Sequence, residues 1–416
     1  MPIISQATYH HPKTRVLHGM IYLVLIAGAV TMLYPFLLML GGSTLSGVDA
    51  RETKVIPTYW CDDTMLYRKH IEGLFNESLD MMNVAYQDAL SSFERIEPPA
   101  RPNPKLVAEW LAFLRAEPPP PYSSCLGYVY TPLSRTAPLH FRGFRRHLAD
   151  TCGGDIEAVN RRLGSDFINW NAFVVMPEEY LMRIKMPGET QILKAMWDFK
   201  ALQPQGMLYY FSPEGFYRRM FLQNKYGLDI DKYNRSHGTR YAAYADVCLS
   251  RRLPDGTRQE QEDWETFVRN SLNLLWIRAD EAAKDPYRRY LRARYGTIDV
   301  LNRNYGTAYG DFDDIPLVDG APSKDMVRSD WNDFITGWQS PDTGVVHALP
   351  ARMLRIHSLE FQFRDYVEGR YKSIAAVNAA LGTSYKDLLF IQPPQRDLHY
   401  LAFLETKGSL RREFMT

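Results

Sequence analysis

The familiar catalytic signatures are absent from this chain. There is no GxSxG, HExxH, Walker A or GxGxxG segment, so no nucleophile elbow, zinc-protease helix or phosphate-cradling loop can be proposed. No CxxC pair occurs either. Cys61, Cys125, Cys152 and Cys248 stand far apart, which excludes a zinc ribbon or a thioredoxin-type motif. They remain free thiols or form one or two disulfides. An excess of one charge is also missing: 49 Lys and Arg face 48 Asp and Glu, for a net charge of +1. No run of five like charges occurs, so nothing in the composition recruits nucleic acid.

What is present first is one long apolar stretch, Val16–Leu40, without Asp, Glu, Lys or Arg. As a helix it reaches roughly 37 Å, enough to cross a hydrocarbon core of about 30 Å. Its apolar core is longer than that of a cleaved signal peptide, which predicts an uncleaved anchor. Lys13 and Arg15 precede it and place the N-terminus in the cytoplasm. The expected organisation is a cytoplasmic tail over 1–15 and a transmembrane helix over 16–40. A juxtamembrane helical region with a Pro-rich linker follows over 41–121, then an extracytoplasmic domain over 122–416. The partner implied is the lipid bilayer of the plasma (inner) membrane. The whole chain is 45% hydrophobic and 13% aromatic, with 26 Tyr, so the part after the anchor can bury a core.

Within 41–121, apolar residues recur at helical steps from Leu66 to Tyr86, which predicts helix over Asp62–Phe93. Pro98, Pro99, Pro102 and Pro104, then Pro118–Pro121, bracket a short helix over Lys105–Arg115 and put a boundary near Pro121.

Beyond Pro121 the chain repeats at about 70 residues. Four segments begin with an aromatic–Arg pair, at Phe144, Tyr217, Tyr287 and Phe363. In each, an Asn (160, 234, 302, 378) stands four before a Gly (164, 238, 306, 382). Ser or Thr follows the Gly, and three after the Gly comes an aromatic: Phe167, Tyr241, Tyr309, Tyr385. The units lie near 141–177, 214–254, 285–322 and 360–394. The pattern predicts one helix, a break, a second short helix over a segment such as Ile298–Asn304, and a left-handed Gly that ends it. The pieces DDIPL and LLFIQPP read as extended. Asp263-Trp264 and Asp330-Trp331 read as capped helix starts, and His399–Leu404 as the opening of a fifth, incomplete unit. The fold class expected is mainly α: one transmembrane helix followed by a helical repeat domain with short extended segments.

Individual chemistry-bearing residues find bland explanations. Asn76-Glu77 resembles the Asn-Glu pair of retaining glycosidases, but no partner carboxylate can be named. Asp311, Asp313 and Asp314 read as solvated caps, since no EF-hand loop surrounds them. Tyr295, Asn302 and Tyr309 suit a sugar-facing groove in residue type, but packing and helix termination explain them. No catalytic, cofactor-binding or metal-ligating residue is nominated, no cofactor is expected, and the chain is read as no enzyme.

Two resemblances add to this. The run MIYLVLIAGAVTMLYPFLLMLGGSTLSGVDA, with Pro35, Ser43 and Ser46 at its end, resembles the first transmembrane segment of carbohydrate-type (MalG-like) ABC importer permeases. The continuation VIPTYWCDDTMLYRKHIEGLFNES is similar to the stretch that follows that helix in permeases carrying a large extracytoplasmic insertion. The resemblance covers residues 13–80. It implies the N-terminal part of such a permease, with another permease subunit, an ATPase and a substrate-binding protein as partners. The further spans and the ATPase-docking loop of that family are not in the sequence; VDGA at Val318–Ala321 echoes that loop only by chance. The ending GSLRREFMT, without a polar tail, points to a longer protein. The unit Tyr-Gly-x-Ile-x-x-Leu-Asn-x-x-x-Gly-Thr-x-Tyr also resembles a short helical segment of family 42 β-galactosidases, away from their catalytic carboxylates. Alternatives are a single-pass anchored binding or scaffold protein and, more weakly, an anchored glycoside hydrolase.

Overall fold

The structure is a computed structural model that describes residues 12–127, 139–175, 178–183 and 185–414. The tail up to residue 11, with His10 and His11, and the last two residues of the repeat placed over 141–177 lie outside these. Helix makes up 60% and strand 4%, so the mainly α fold read from the sequence is the one that forms. The first helix, α1 (Pro12–Gly42), runs through Pro35. Its most apolar 18-residue window has a mean hydropathy of 2.3 and none of it is buried by the rest of the chain. It is long and apolar enough to cross a membrane.

After α1 the described residues build one unit five times. Each unit has two helices in succession, a tight turn and a third helix. The first helices are α2 (Asp63–Leu74), α5 (Leu139–Thr151), α8 (Pro213–Phe216) continuing through a π turn into α9 (Gln223–Tyr226), α12 (Lys284–Tyr295) and α15 (Leu359–Tyr371). The second are α3 (Leu79–Tyr86), α6 (Ile156–Leu163), α10 (Asp231–His237), α13 (Ile298–Tyr305) and α16 (Ile374–Leu381). The third are α4 (Pro104–Ala116), α7 (Gln191–Ala201), α11 (Arg258–Thr266), α14 (Asp325–Thr336) and α17 (Gln395–Glu413).

The repeated Asn explains why the second helix stops where it does. Its side-chain amide donates to the backbone carbonyl seven residues on, and its carbonyl accepts that residue's N–H and the Ser/Thr hydroxyl five residues on. These bonds measure 2.8–3.0 Å at Asn160, Asn234, Asn302 and Asn378. One side chain thus satisfies the backbone of the turn it faces. The following Gly takes the left-handed conformation in all four, as at Gly306 with φ 60°. The repeated Arg closes the same turn from the other side. Its Nε donates to the carbonyl at the turn's end: Arg218 to Val247, Arg288 to Ile315, Arg364 to Ile391.

A unit invisible to the sequence pattern precedes these four. Asn83 clasps Leu90 with the same pair of bonds, at 2.9 and 3.0 Å. Gln87 holds the left-handed cap at φ 55° where the other units have Gly. Arg68, after Tyr67, donates to Ile96 at 2.8 Å. The helix expected over Asp62–Phe93 is therefore two helices. Asn76 and Glu77, both at positive φ, form the turn between them, so this pair is a connector.

Packing then departs from chain order. In the second, third and fourth units the leading aromatic packs, tilted or edge-on, against the third helix of its own unit or the π turn that continues it: Phe144 on Phe199, Tyr217 on Phe267, Tyr287 on Phe334, with ring centroids 4.9–5.4 Å apart. Tyr67 of the first unit instead meets Tyr400 and Phe403 of α17, and Phe363 of the fifth meets Trp110 and Phe113 of α4, all within 5.0–5.6 Å. The first and last units exchange third helices, which closes the array on itself. A boundary near Pro121 does not separate two cores, because Val48, Leu66 and Ile96 share one core with Trp276, Ile356 and Phe403. Short antiparallel pairs tie neighbours together. β1 (Ser124–Cys125) pairs with β2 (Tyr209–Tyr210), and β3 (Ile277–Ala279) pairs with the later strand Leu354–Ile356.

Three further expectations are corrected. DDIPL and LLFIQPP hold 3-10 turns, Phe312–Asp314 and Leu388–Phe390, followed by one buried Ile each. Asp263 and Asp330 do not cap helices; they sit in helix interiors with no exposure. His399 does not open a unit, since it lies within α17 as part of a complete third helix. All four cysteines are free thiols.

Candidate functional site

Among the described residues, three clusters of chemistry-bearing side chains stand out, and the first holds units together internally. In the fourth unit, Asp330 accepts hydroxyls from Tyr295 at 2.6 Å and Tyr305 at 2.7 Å, and pairs with Arg294 at 3.1 Å. In the third, Asp263 accepts Tyr226 at 2.8 Å and pairs with Lys225 and with His237 at 3.2 Å. A buried carboxylate is tolerated only with such partners. The equivalent positions in the exchanged helices are Glu109, which accepts Tyr371 of the fifth unit at 3.1 Å, and His399, whose Nδ1 lies 2.7 Å from the Tyr86 hydroxyl of the first. Tyr295 and Asn302 are thereby occupied: one is bound to Asp330, the other to the Tyr309 backbone. They do not form an open groove. Asp311 caps its 3-10 turn and pairs with Arg292, as a solvated cap does.

The second place is a buried carboxyl pair where the first, third and fifth units meet. The third unit carries Ser212 and Glu214 ahead of Tyr217-Arg218; the fifth carries Ser358 and Glu360 ahead of Phe363-Arg364. In both, Ser caps the first helix and aims the Glu inward. Glu214 accepts Arg218 at 2.6 Å, Arg364 at 2.5 Å and Gln392 at 2.9 Å. Glu360 accepts the Ser212 hydroxyl and that of Ser358 at 3.1 Å. Burial, then the charge of Glu214, pushes the Glu360 carboxyl up to about 7. Gln87, the left-handed cap of the first unit, bridges Arg218 and Gln392. A pocket of about 250 Å³ opens beside Ser212, Glu360, Tyr385 and Gln392. The raised Glu360 carboxyl exchanges a proton near neutral pH, and both oxygens of Glu214 are bonded to side chains of the third and fifth units. The sequence reading missed these residues. The signal was the shared spacing Ser-x-Glu-x-x-aromatic-Arg, present in two of the units only.

The third place is the junction below α1. Asp49, in the loop leaving α1, pairs with Lys69 of α2 at 3.2 Å, and both are almost fully buried. The Lys69 ammonium lies 5.0 Å from the Tyr59 ring and 5.4 Å from the Phe414 ring, a double cation–π contact. Burial pulls its pKa down, opposed by Asp49. Asp63 at the start of α2 pairs with Lys407, at 2.8 Å, and with Arg411 of α17. This junction fastens residues just after α1 to the last helix of the array.

Among the described residues no group of three or more His, Cys, Asp or Glu side chains is arranged to hold a metal ion. No family model, no curated protein and no solved structure matches the chain.

Proposed function

We propose that this chain is the N-terminal part of a carbohydrate-type import permease, in which the five-unit array is an extracytoplasmic domain inserted after the first membrane helix. The reading rests on the resemblance over residues 13–80 and on one observation. The chain enters the array at Thr58–Asp63 and reaches its last helix, at Lys407–Phe414, on the same spot: the Tyr59 and Phe414 rings are 6.1 Å apart and Asp63 pairs with α17. A domain inserted between two membrane helices needs its two connections side by side, and a domain with adjacent connections is readily accommodated as an insertion. In this role the array contacts a substrate-binding protein or gates access to the path, and the chemistry of transport belongs to the other subunit and the ATPase. The test is affinity purification of the tagged protein from its native membrane. Recovery of an ABC-type ATPase with a second permease subunit supports the reading. Recovery of the tagged protein without an ATPase overturns it and favours a single-pass anchored scaffold.

A further inference from the structure

We propose that residues 51–61 form a collar that lies in the lipid head-group layer and seats the array directly on the membrane surface. The argument starts at Gly41, the one buried residue of α1. A Cβ there would stand 2.7 Å from the Val55 carbonyl oxygen and 3.0 Å from that of Lys54. The backbone of 54–55 therefore presses on the last turn of α1, and only glycine permits it. A span of 31 residues is roughly 46 Å long as a helix, well beyond the hydrocarbon core of about 30 Å. Its last turn thus ends in the head-group layer, and the segment touching Gly41 shares that depth.

The composition of the segment suits the layer. Ile56 is 58% exposed and Trp60 is 42% exposed, next to a fully buried Tyr59. Exposed Trp beside the end of a span is the residue enriched at the membrane–water interface, where its ring and N–H are both satisfied. Arg51 and Lys54 are exposed beside them and meet lipid phosphates electrostatically. The acidic groups nearby are engaged: Glu52 accepts the Thr58 N–H at 3.0 Å, Asp62 caps α2, and Asp63 pairs with α17. The segment is also rigid, since Lys54 bonds the Thr58 hydroxyl at 2.7 Å and Tyr59 is locked under Lys69. The lipid surface therefore fixes the height and tilt of the whole array through the Asp49–Lys69 junction.

This inference rests on the anchor reading, and the experiment separates the two. The full chain is reconstituted into phosphatidylcholine vesicles whose acyl chains carry bromine either near the head group or near the chain end. Flotation with the vesicles reports the anchor; quenching of Trp fluorescence reports the collar. No Trp lies in α1 and Trp60 is the first after it, so the collar makes Trp60 the one nearest the lipid. The expected result is flotation, with quenching stronger for shallow than for deep bromine. The quenching is lost in Trp60→Phe and reduced in Ile56→Asp, which leaves Trp60 in place. Flotation without shallow quenching overturns the collar and leaves the anchor. Quenching that survives Trp60→Phe also overturns the collar, because another Trp is then the one in lipid. Failure to float overturns the anchor and the collar with it.

Discussion

Replacing Asn302 with Ala tests the reading of the repeat as a structural clasp. The side chain makes three hydrogen bonds at 2.9 Å: it donates to the Tyr309 carbonyl and accepts from the Tyr309 N–H and the Thr307 hydroxyl. Each bond contributes a net of about 1 kcal/mol, and the partners left behind are part-buried, so the loss is about 2–4 kcal/mol. At about 2 °C per kcal/mol for a domain of this size, Tm falls by about 4–8 °C. Asn302→Asp is the informative companion. It keeps both acceptor bonds but turns the donation to Tyr309 into a carboxylate oxygen facing a carbonyl oxygen, so its cost is at least about 1–2 kcal/mol. Arg303→Ala, on the exposed side of the same helix, is the control and stays within about 0.5 kcal/mol. The assay is thermal unfolding of the full chain in detergent, followed by circular dichroism. An Asn302→Ala variant that melts with the control refutes the clasp, and a side chain free to face a ligand would then be the better account.

Three further outcomes follow from the same geometry. Gly306→Val lowers Tm by more than a typical surface change, because φ is 60° there and a β-branched residue resists the left-handed region; the free space around Gly306 makes the backbone the sole cause. Glu360→Gln changes the pH dependence of stability. The folded carboxyl holds its proton up to about 7 against an ordinary 4.5, so the wild type loses stability as pH rises from about 4.5 through 7. The variant does not lose it, and its Tm relative to wild type should climb across that window and level off above it; a constant difference would contradict the raised carboxyl. The purified protein should hydrolyse neither chromogenic glycosides nor ATP, and glycoside turnover abolished by Glu360→Gln would overturn that expectation.

The long apolar first helix and the four Asn–Gly units were legible because each rests on local rules: an uninterrupted apolar run, and a cap whose residues lie within one turn of each other. The first unit was hidden because its local signs are substituted. Gln87 takes the left-handed position of the Gly, Asp88 stands where Ser or Thr is expected, and Leu90 replaces the aromatic. The clasp survives these changes because its key bonds run from the Asn side chain to backbone, which any residue supplies. Asp263 and Asp330 were misread as caps because an Asp before an aromatic helix looks the same whether it starts the helix or is buried within it; the tyrosines that decide are 25–37 residues away. The carboxyl pair of Glu214 and Glu360 is separated by 146 residues in the chain and joins only when the array closes. The exchange of third helices has no local sign at all. Trp110-Leu-Ala-Phe113 in α4 and Tyr400-Leu-Ala-Phe403 in α17 are nearly the same motif, so either helix suits either unit by pattern.

That exchange is the central structural claim, and hydrogen exchange on two variants of the full chain tests it. Phe113 and Phe403 are each buried to within 1%, so truncation to Ala costs about 3–5 kcal/mol where the ring packs. Phe403→Ala in α17 should speed amide exchange in α2 and α3 of the first unit, residues 63–86, while α15 and α16 stay protected. Phe113→Ala in α4 should do the reverse, exposing residues 359–381 and sparing 63–86. The opposite pattern, with each substitution loosening the unit that precedes it in the chain, would contradict the exchange.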